Sequence, residues 1–383
     1  MKLEPIPINK EILAWARDRA GFSIEEASQS IHEKYPSWES PGENLPTYPQ
    51  LEKVSDKFKI PLAVFFFPSI PDIPDTEESF RTLPGAEFKE LPRQLKLLVR
   101  KAKALQINLE ELEGNANSQG RKIVQEFQKA EHLSVELLAQ KAREYIGVSL
   151  EQQNSWKNSD EALKSWRAAL LDVGVFVFKD AFQEPDYSGF CLWDVDYPLI
   201  YVNNSNPENR QIFTLFHELA HLLFETSGLD GLGEDVIARL PEGARQVETS
   251  CNRFAAEFLV PTENFEDLVT GLPFNRDGAT ELASYFNVSR EVIYRKFLDR
   301  GWIEKTEYIS ATTEWNQSAF AQRQAGNGGN YYRTQIAYLG KDYIELAFQR
   351  YYQQRISEIQ LADYLGIKGK NISTFESYMD RVR

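Results

Sequence analysis

Apolar residues recur at helical spacing along most of the chain and at strand spacing in one stretch near its middle. Residues 10–20 form an amphipathic segment that Gly21 stops. Ser23, with Glu26 three positions later, makes a capping box for a second helix. A Pro/Gly-rich stretch, 36–49, leads into a helix over about 48–58, and the apolar run 62–67 ends at Pro68. Together these predict a small helical module of helix-turn-helix type. Residues 71–84, rich in Pro and Asp, read as a linker. The pattern is helical again from 91 to about 145, with a break near 114–117.

Three short β-branched and aromatic runs, 173–178, 189–193 and 199–202, are split by turn residues and predict the strands of a small sheet. Two strong helices follow, 207–224 and about 244–259, and then a helical C-terminal third. That third contains an internal echo: Leu282–Ala283–Ser284–Tyr285–Phe286–Asn287–Val288 is similar to Leu361–Ala362–Asp363–Tyr364–Leu365–Gly366–Ile367. Both segments read as the first helix and turn of helix-turn-helix units, with the Gly/Asn-rich segment 326–330 between them as a loop. The expected class is mainly α with a small β-sheet (α+β). The expected divisions are 1–70, 71–165, 166–275 and 276–383.

Composition narrows the function classes. With 383 residues, 42% hydrophobic and 13% aromatic, the chain can bury more than one core, and 26% charged residues without a low-complexity tract argue against general disorder. The 57 acidic residues exceed the 43 basic ones, giving a net charge of −14, which disfavours a protein that coats nucleic acid. In the first module the segment 32–43 sets Lys34 against Glu33, Glu39 and Glu43, interrupted by Pro36 and Pro41, so no basic footprint for phosphate is visible. No leader pattern, no membrane-length apolar window and only two cysteines, Cys191 and Cys251, lead us to expect a cytoplasmic protein with reduced thiols and no membrane partner.

The chemistry concentrates in one window. Of four histidines, His217 and His221 flank Glu218 in His217–Glu218–Leu219–Ala220–His221. A chance match to HExxH in a chain this long is on the order of one in a hundred. Positions i and i+4 share a helix face, so both imidazoles can reach one metal ion. Asn206 suits the N-cap and Pro207 the first helical position. Ile212, Phe216, Leu219 and Leu223 form a stripe roughly opposite the histidines. The competing reading is a core helix whose two histidines merely pair with buried partners.

A catalytic zinc needs a third protein ligand and an open position. No third histidine follows at the HExxHxxGxxH spacing, where Ser227 stands instead. On the downstream helix, Glu248 and Asn252 sit four apart, beside the apolar stripe of Val247, Cys251, Phe254 and Phe258. Glu248 leads as third ligand, with Asn252 placed to orient an imidazole. Cys251, Glu257 and the acidic loop residues Asp230, Glu234 and Asp235 stay open as rivals. Glu257 also has a structural reading, as a buried carboxylate paired with Arg210.

The segments Arg210–Gln211–Ile212–Phe213–Thr214–Leu215–Phe216–His217–Glu218–Leu219–Ala220–His221 and Glu248 through Pro261 resemble the ImmA/IrrE family of metallopeptidases. That family carries R-x-x-F-T-x-x-H-E-x-x-H on one helix and E-x-x-A-N-x-F-A on the next. Cys251 stands here for the usual Ala, and Ile200–Tyr201–Val202–Asn203 resembles the strand before the zinc helix. Looser likeness covers Trp15–Ala16–Arg17, Trp38–Glu39, Pro46–Thr47, 61–67, Phe80–Arg81–Thr82–Leu83–Pro84 and 329–364, similar to members with an N-terminal XRE-type module and a C-terminal extension. The resemblance implies a zincin-like core, Zn2+ held by His217, His221 and Glu248, and a protein or peptide substrate, such as a transcriptional repressor or a toxin partner. It also raises DNA contact through the helix-turn-helix module. The expected reaction is peptide-bond hydrolysis with Glu218 as general base. Strand 199–203 is a candidate for the edge that receives substrate, and the oxyanion stabiliser is left open between Tyr201, Arg210 and an unassigned residue. The alternative function is a DNA- or toxin-binding, antitoxin-like regulator with a structural or vestigial zinc site. An intact Glu218 favours the enzyme.

Overall fold

Helix α1 (Lys10–Arg19) opens the first of two units, Met1–Glu78 with Leu91–Val99, in a computed structural model that describes residues 4–42, 44–71, 91–114, 117–128, 130–226, 229–230, 242–324 and 330–380. Asn9 caps α1, and Gly21 turns the chain at φ +72° into α2 (Ile24–Ser30). The capping box is present there, with Glu26 N donating to Ser23 Oγ at 3.1 Å and Ser23 N to Glu26 Oε2 at 2.8 Å. A short helix, α3 (Tyr35–Glu39), reaches into the Pro/Gly-rich stretch before α4 (Tyr48–Phe58). Pro36 falls in the first turn of α3, where its missing N–H costs nothing, and burial of Tyr35 and Trp38 supplies the rest. Arg17 locks α1 to α3 by a forked contact with Glu39, at 2.8 and 3.1 Å. Lys10 donates to the carbonyls of Ser40, Gly42 and Asn44.

The second unit, Ser79–Glu90 with Arg100–Arg383, takes up α5 (Arg93–Glu113) from residue 100 on. It continues with α6 (Ile123–Glu126), α7 (Val135–Ile146), α8 (Leu150–Ser155) and α9 (Ser159–Asp172). Strands β1 (Phe176–Asp180), β2 (Gly189–Leu192), β3 (Leu199–Asn203) and the two-residue β4 (Leu229–Asp230) form one sheet in the order β1-β3-β2-β4. β1 starts later than its apolar run because Gly174, at φ +82°, is still turning the chain out of α9. β3 pairs parallel with β1 and antiparallel with β2, so it is interior and cannot be the edge expected to receive a peptide. The outer edge of β1 is covered: Arg167 donates to Val177 O and Ala337 O, both at 2.9 Å.

Val177, Cys191, Ile200 and Val202 face a core shared with α10 (Glu208–Leu223) and α11 (Glu242–Leu259). α10 starts one residue later than expected, with Pro207 in the cap position, φ −53° and ψ 149°. Asn206 therefore lies outside the helix, where its carbonyl accepts from Gln211 Nε2 at 2.6 Å. Gly189 lets α10 approach the sheet, since a Cβ there would lie 2.5 Å from Thr214 Cγ2. Phe216 of α10 and Phe258 of α11 stack at 4.1 Å, with Trp166 edge-on to Phe216 at 4.8 Å. These contacts fix the spacing of the two helices that carry the candidate chemistry.

The remaining helices are α12 (Thr262–Val269), α13 (Arg276–Phe286), α14 (Arg290–Asp299), α15 (Lys305–Gln324), α16 (Tyr331–Leu339), α17 (Lys341–Tyr352), α18 (Glu358–Leu365) and α19 (Ile372–Asp380). The internal echo is a repeated helix ending. α13 and α18 stop on left-handed residues, Asn287 (φ +52°) and Gly366 (φ +63°). The next residue in each, Val288 and Ile367, buries its side chain and donates its N–H back to Ala283 O and Ala362 O, both at 3.0 Å. α14 then begins at once, whereas a 3-10 turn (Gly369–Asn371) precedes α19. Expectations resting on residues 72–84, Glu43, Ser227, Glu234, Asp235 and 326–329 lie outside the described residues.

Candidate metal centre

The histidines project from α10 one turn apart, and both are nearly inaccessible to solvent. Their Nε2 atoms lie 3.2 Å from each other. Glu248, from the middle of α11, completes the triangle: Oε2 is 3.3 Å from His217 Nε2 and Oε1 is 3.3 Å from His221 Nε2. One donor atom from each of the three falls within 4.8 Å of the other two, the only such group of three or more His, Cys, Asp or Glu found among the described residues. Burial pushes the Glu248 carboxyl up, but the hydrogen bonds and charges of His217 and His221 together outweigh it and hold it below the usual carboxylate range. Glu218, between the histidines, is fully buried.

The far nitrogens are also engaged. His217 Nδ1 lies 3.0 Å from Asn252 Oδ1, and His221 Nδ1 lies 3.1 Å from Thr226 Oγ1. The Thr226 hydroxyl donates to His221 O at 3.1 Å, so its lone pairs remain to accept from Nδ1–H. Asn252 Oδ1 and Thr226 Oγ1 can each accept from an Nδ1–H, the tautomer that frees the Nε2 lone pair for a metal ion in place of the contact with Glu248. Two imidazoles, neutral once they ligate, and one carboxylate, each imidazole tied from behind, are a donor set that fits a borderline-soft divalent cation.

The rivals for the third ligand among the described residues have other roles. Cys251 is completely buried in the core with Phe254 and Phe258. Glu257 is structural, but its partner is not Arg210: it accepts from Thr262 N at 2.7 Å and Thr262 Oγ1 at 2.6 Å, capping α12, and from Lys296 Nζ at 3.2 Å. Arg210 instead donates Nε to Ser188 Oγ at 2.9 Å. Asp230 contributes backbone pairing to Gly189 on β2. Tyr201 is not placed to steady an oxyanion at this centre. Alternation along β3 puts it on the face opposite Ile200 and Val202, where it stacks with Phe190 at 5.2 Å and donates to Asp180 at 3.2 Å. Thr226 is the residue that sequence reasoning missed.

A helix with two histidines around a glutamate, faced by a second helix that supplies a carboxylate, is the layout of a metallopeptidase-type domain. Residues 171–298 match the peptidase M78 family, described as the IrrE N-terminal-like domain. The radiation response metalloprotease IrrE of Deinococcus deserti is 36% identical over 100 residues, 25% of this chain and 34% of that protein. The match thus spans about a third of that relative's length. A solved Mycobacterium tuberculosis transcriptional regulator overlaps 45% of this chain and 50% of its own, at 20% identity and a TM-score of 0.30. No helix among the described residues is long and apolar enough to cross a membrane.

Proposed function

We propose that this chain is a zinc-dependent metalloendopeptidase that cleaves a peptide bond in a regulatory protein. The observation that carries the reading is the convergence of His217 Nε2, His221 Nε2 and the two Glu248 carboxylate oxygens. These three residues would hold the ion. Zinc bound there supplies Lewis acidity, which polarises a carbonyl and lowers the pKa of water. Glu218 acts as general base: its carboxylate takes a proton from the attacking water and hands it to the departing amine nitrogen. Asn252 and Thr226 keep the imidazoles in the tautomer that ligation requires.

The substrate class is the one that the resemblance implies. A repressor guarding stress or mobile-element genes, or a toxin partner, is the kind of target that the ImmA/IrrE resemblance implies, and the matched relative is named for a radiation response. Direct DNA reading by the first module is the weaker idea. α3 is only five residues long, buries Tyr35 and Trp38, and has Glu39 tied to Arg17. A recognition helix needs exposed side chains to reach base edges. The decisive experiment is proteome-wide labelling of new N-termini in cells expressing the wild type or Glu218→Gln. Protein N-termini present with the wild type and absent with the variant support the enzyme. Identical sets favour the regulator reading.

A further inference from the structure

We infer that Thr226 is the positioning residue for His221, and that the way α10 ends is what delivers it. The inference rests on the reading that His217, His221 and Glu248 hold a metal ion. Helix α10 stops in a Schellman arrangement. Glu225 takes the left-handed conformation at φ +57°, its N–H donates to Leu222 O at 3.2 Å, and Thr226 N–H donates to His221 O at 2.9 Å. Such a turn returns the residue after the left-handed one to the carbonyl of the third-last helical residue. Here that carbonyl belongs to a metal-ligand candidate. The same geometry brings Thr226 Oγ1 to within 3.1 Å of both His221 O and His221 Nδ1.

The consequence is a closed circuit. The Thr226 hydroxyl spends its proton on His221 O and so can only accept from Nδ1–H. That fixes the tautomer and the ring orientation together. His217 has an anchor of another kind: Asn252 lies on α11, the helix that also carries Glu248. One ligand is thus steadied by the helix opposite, the other by the termination of its own. Thr226 O also accepts a weak hydrogen bond from buried Cys191 Sγ on β2, at 3.8 Å, which ties the turn to the sheet. Glycine is the usual left-handed residue at such an ending, and Glu225 replaces it here. The hydroxyl of Thr226, not the identity of residue 225, is the functional feature.

The test uses the full chain and Co2+ as probe, with affinity measured by competition against a chelator and geometry by the visible absorption of the bound ion. Thr226→Val keeps the shape and loses the acceptor. Its affinity is expected to fall between about tenfold and a hundredfold, with a changed cobalt spectrum. Thr226→Ser, which keeps the hydroxyl, and Glu225→Gly, which keeps the turn, are expected to bind as the wild type does with the same spectrum. Wild-type affinity and spectrum in Thr226→Val would overturn the inference, as would a Thr226→Ser variant as weak as Thr226→Val. A wild type that binds no cobalt overturns the metal reading itself and the inference with it, whereas retained wild-type binding confines any failure to Thr226.

Discussion

At the scale of single residues, the site is a problem of proton placement. An imidazole can ligate only through a nitrogen that carries no proton, and in this chain each Nδ1 faces an oxygen able to accept a hydrogen bond from it. Asn252 is therefore more than packing on α11. Asn252→Leu removes the acceptor for His217 Nδ1–H while keeping a similar volume. Zinc affinity should fall by about ten- to a hundredfold, and Asn252→Asp, which still offers an oxygen, should recover most of it. Chelator competition checks both. The two histidines and Glu218 were legible in the sequence because helical spacing alone puts i and i+4 on one face. Glu248 was one of several carboxylates and a thiol until family resemblance singled it out. Thr226 was not legible: the turn that presents it uses a left-handed glutamate, so no glycine marks the place.

At the scale of elements, what matters is how closely α10 lies on its sheet and on α11. Phe216, Phe258 and Trp166 set one contact, and the bare backbone of Gly189 sets the other. Gly189→Ala would place a methyl 2.5 Å from Thr214 Cγ2 and 3.0 Å from Tyr201 O, so backbone and side chain must both yield. Overpacking of this kind costs about 1–3 kcal/mol. Thermal unfolding should report a lowered midpoint, and unchanged stability would mean that α10 can slide freely on β2. The helices that frame the site were readable from their apolar periodicity to within a residue or two. Strand order was not, because pairing is a long-range choice that alternation along a strand does not encode. Hence β3 read as an edge although β1 and β2 enclose it, and β4 is too short to leave any pattern.

At the scale of the whole molecule, the chain joins a helical N-terminal unit to a larger one that carries the sheet, the candidate centre and the C-terminal helices. Its excess of acid over base, −14 in all, runs against broad nucleic-acid affinity. In the first unit two of the cations are spent on structure, Arg17 on Glu39 and Lys10 on three carbonyls. The mainly α character with one small sheet followed from the sequence. The helix inside the Pro/Gly-rich stretch did not, because burial of Tyr35 and Trp38 overrides local composition there. The central claim is that three side chains from two helices of the larger unit hold one zinc ion. Its most direct test is zinc per chain after dialysis without added metal, in the wild type and in Glu248→Gln. The account predicts about one zinc in the wild type and a large loss in the variant, with both proteins folded. No stoichiometric zinc in the wild type, or full retention in Glu248→Gln, would contradict it.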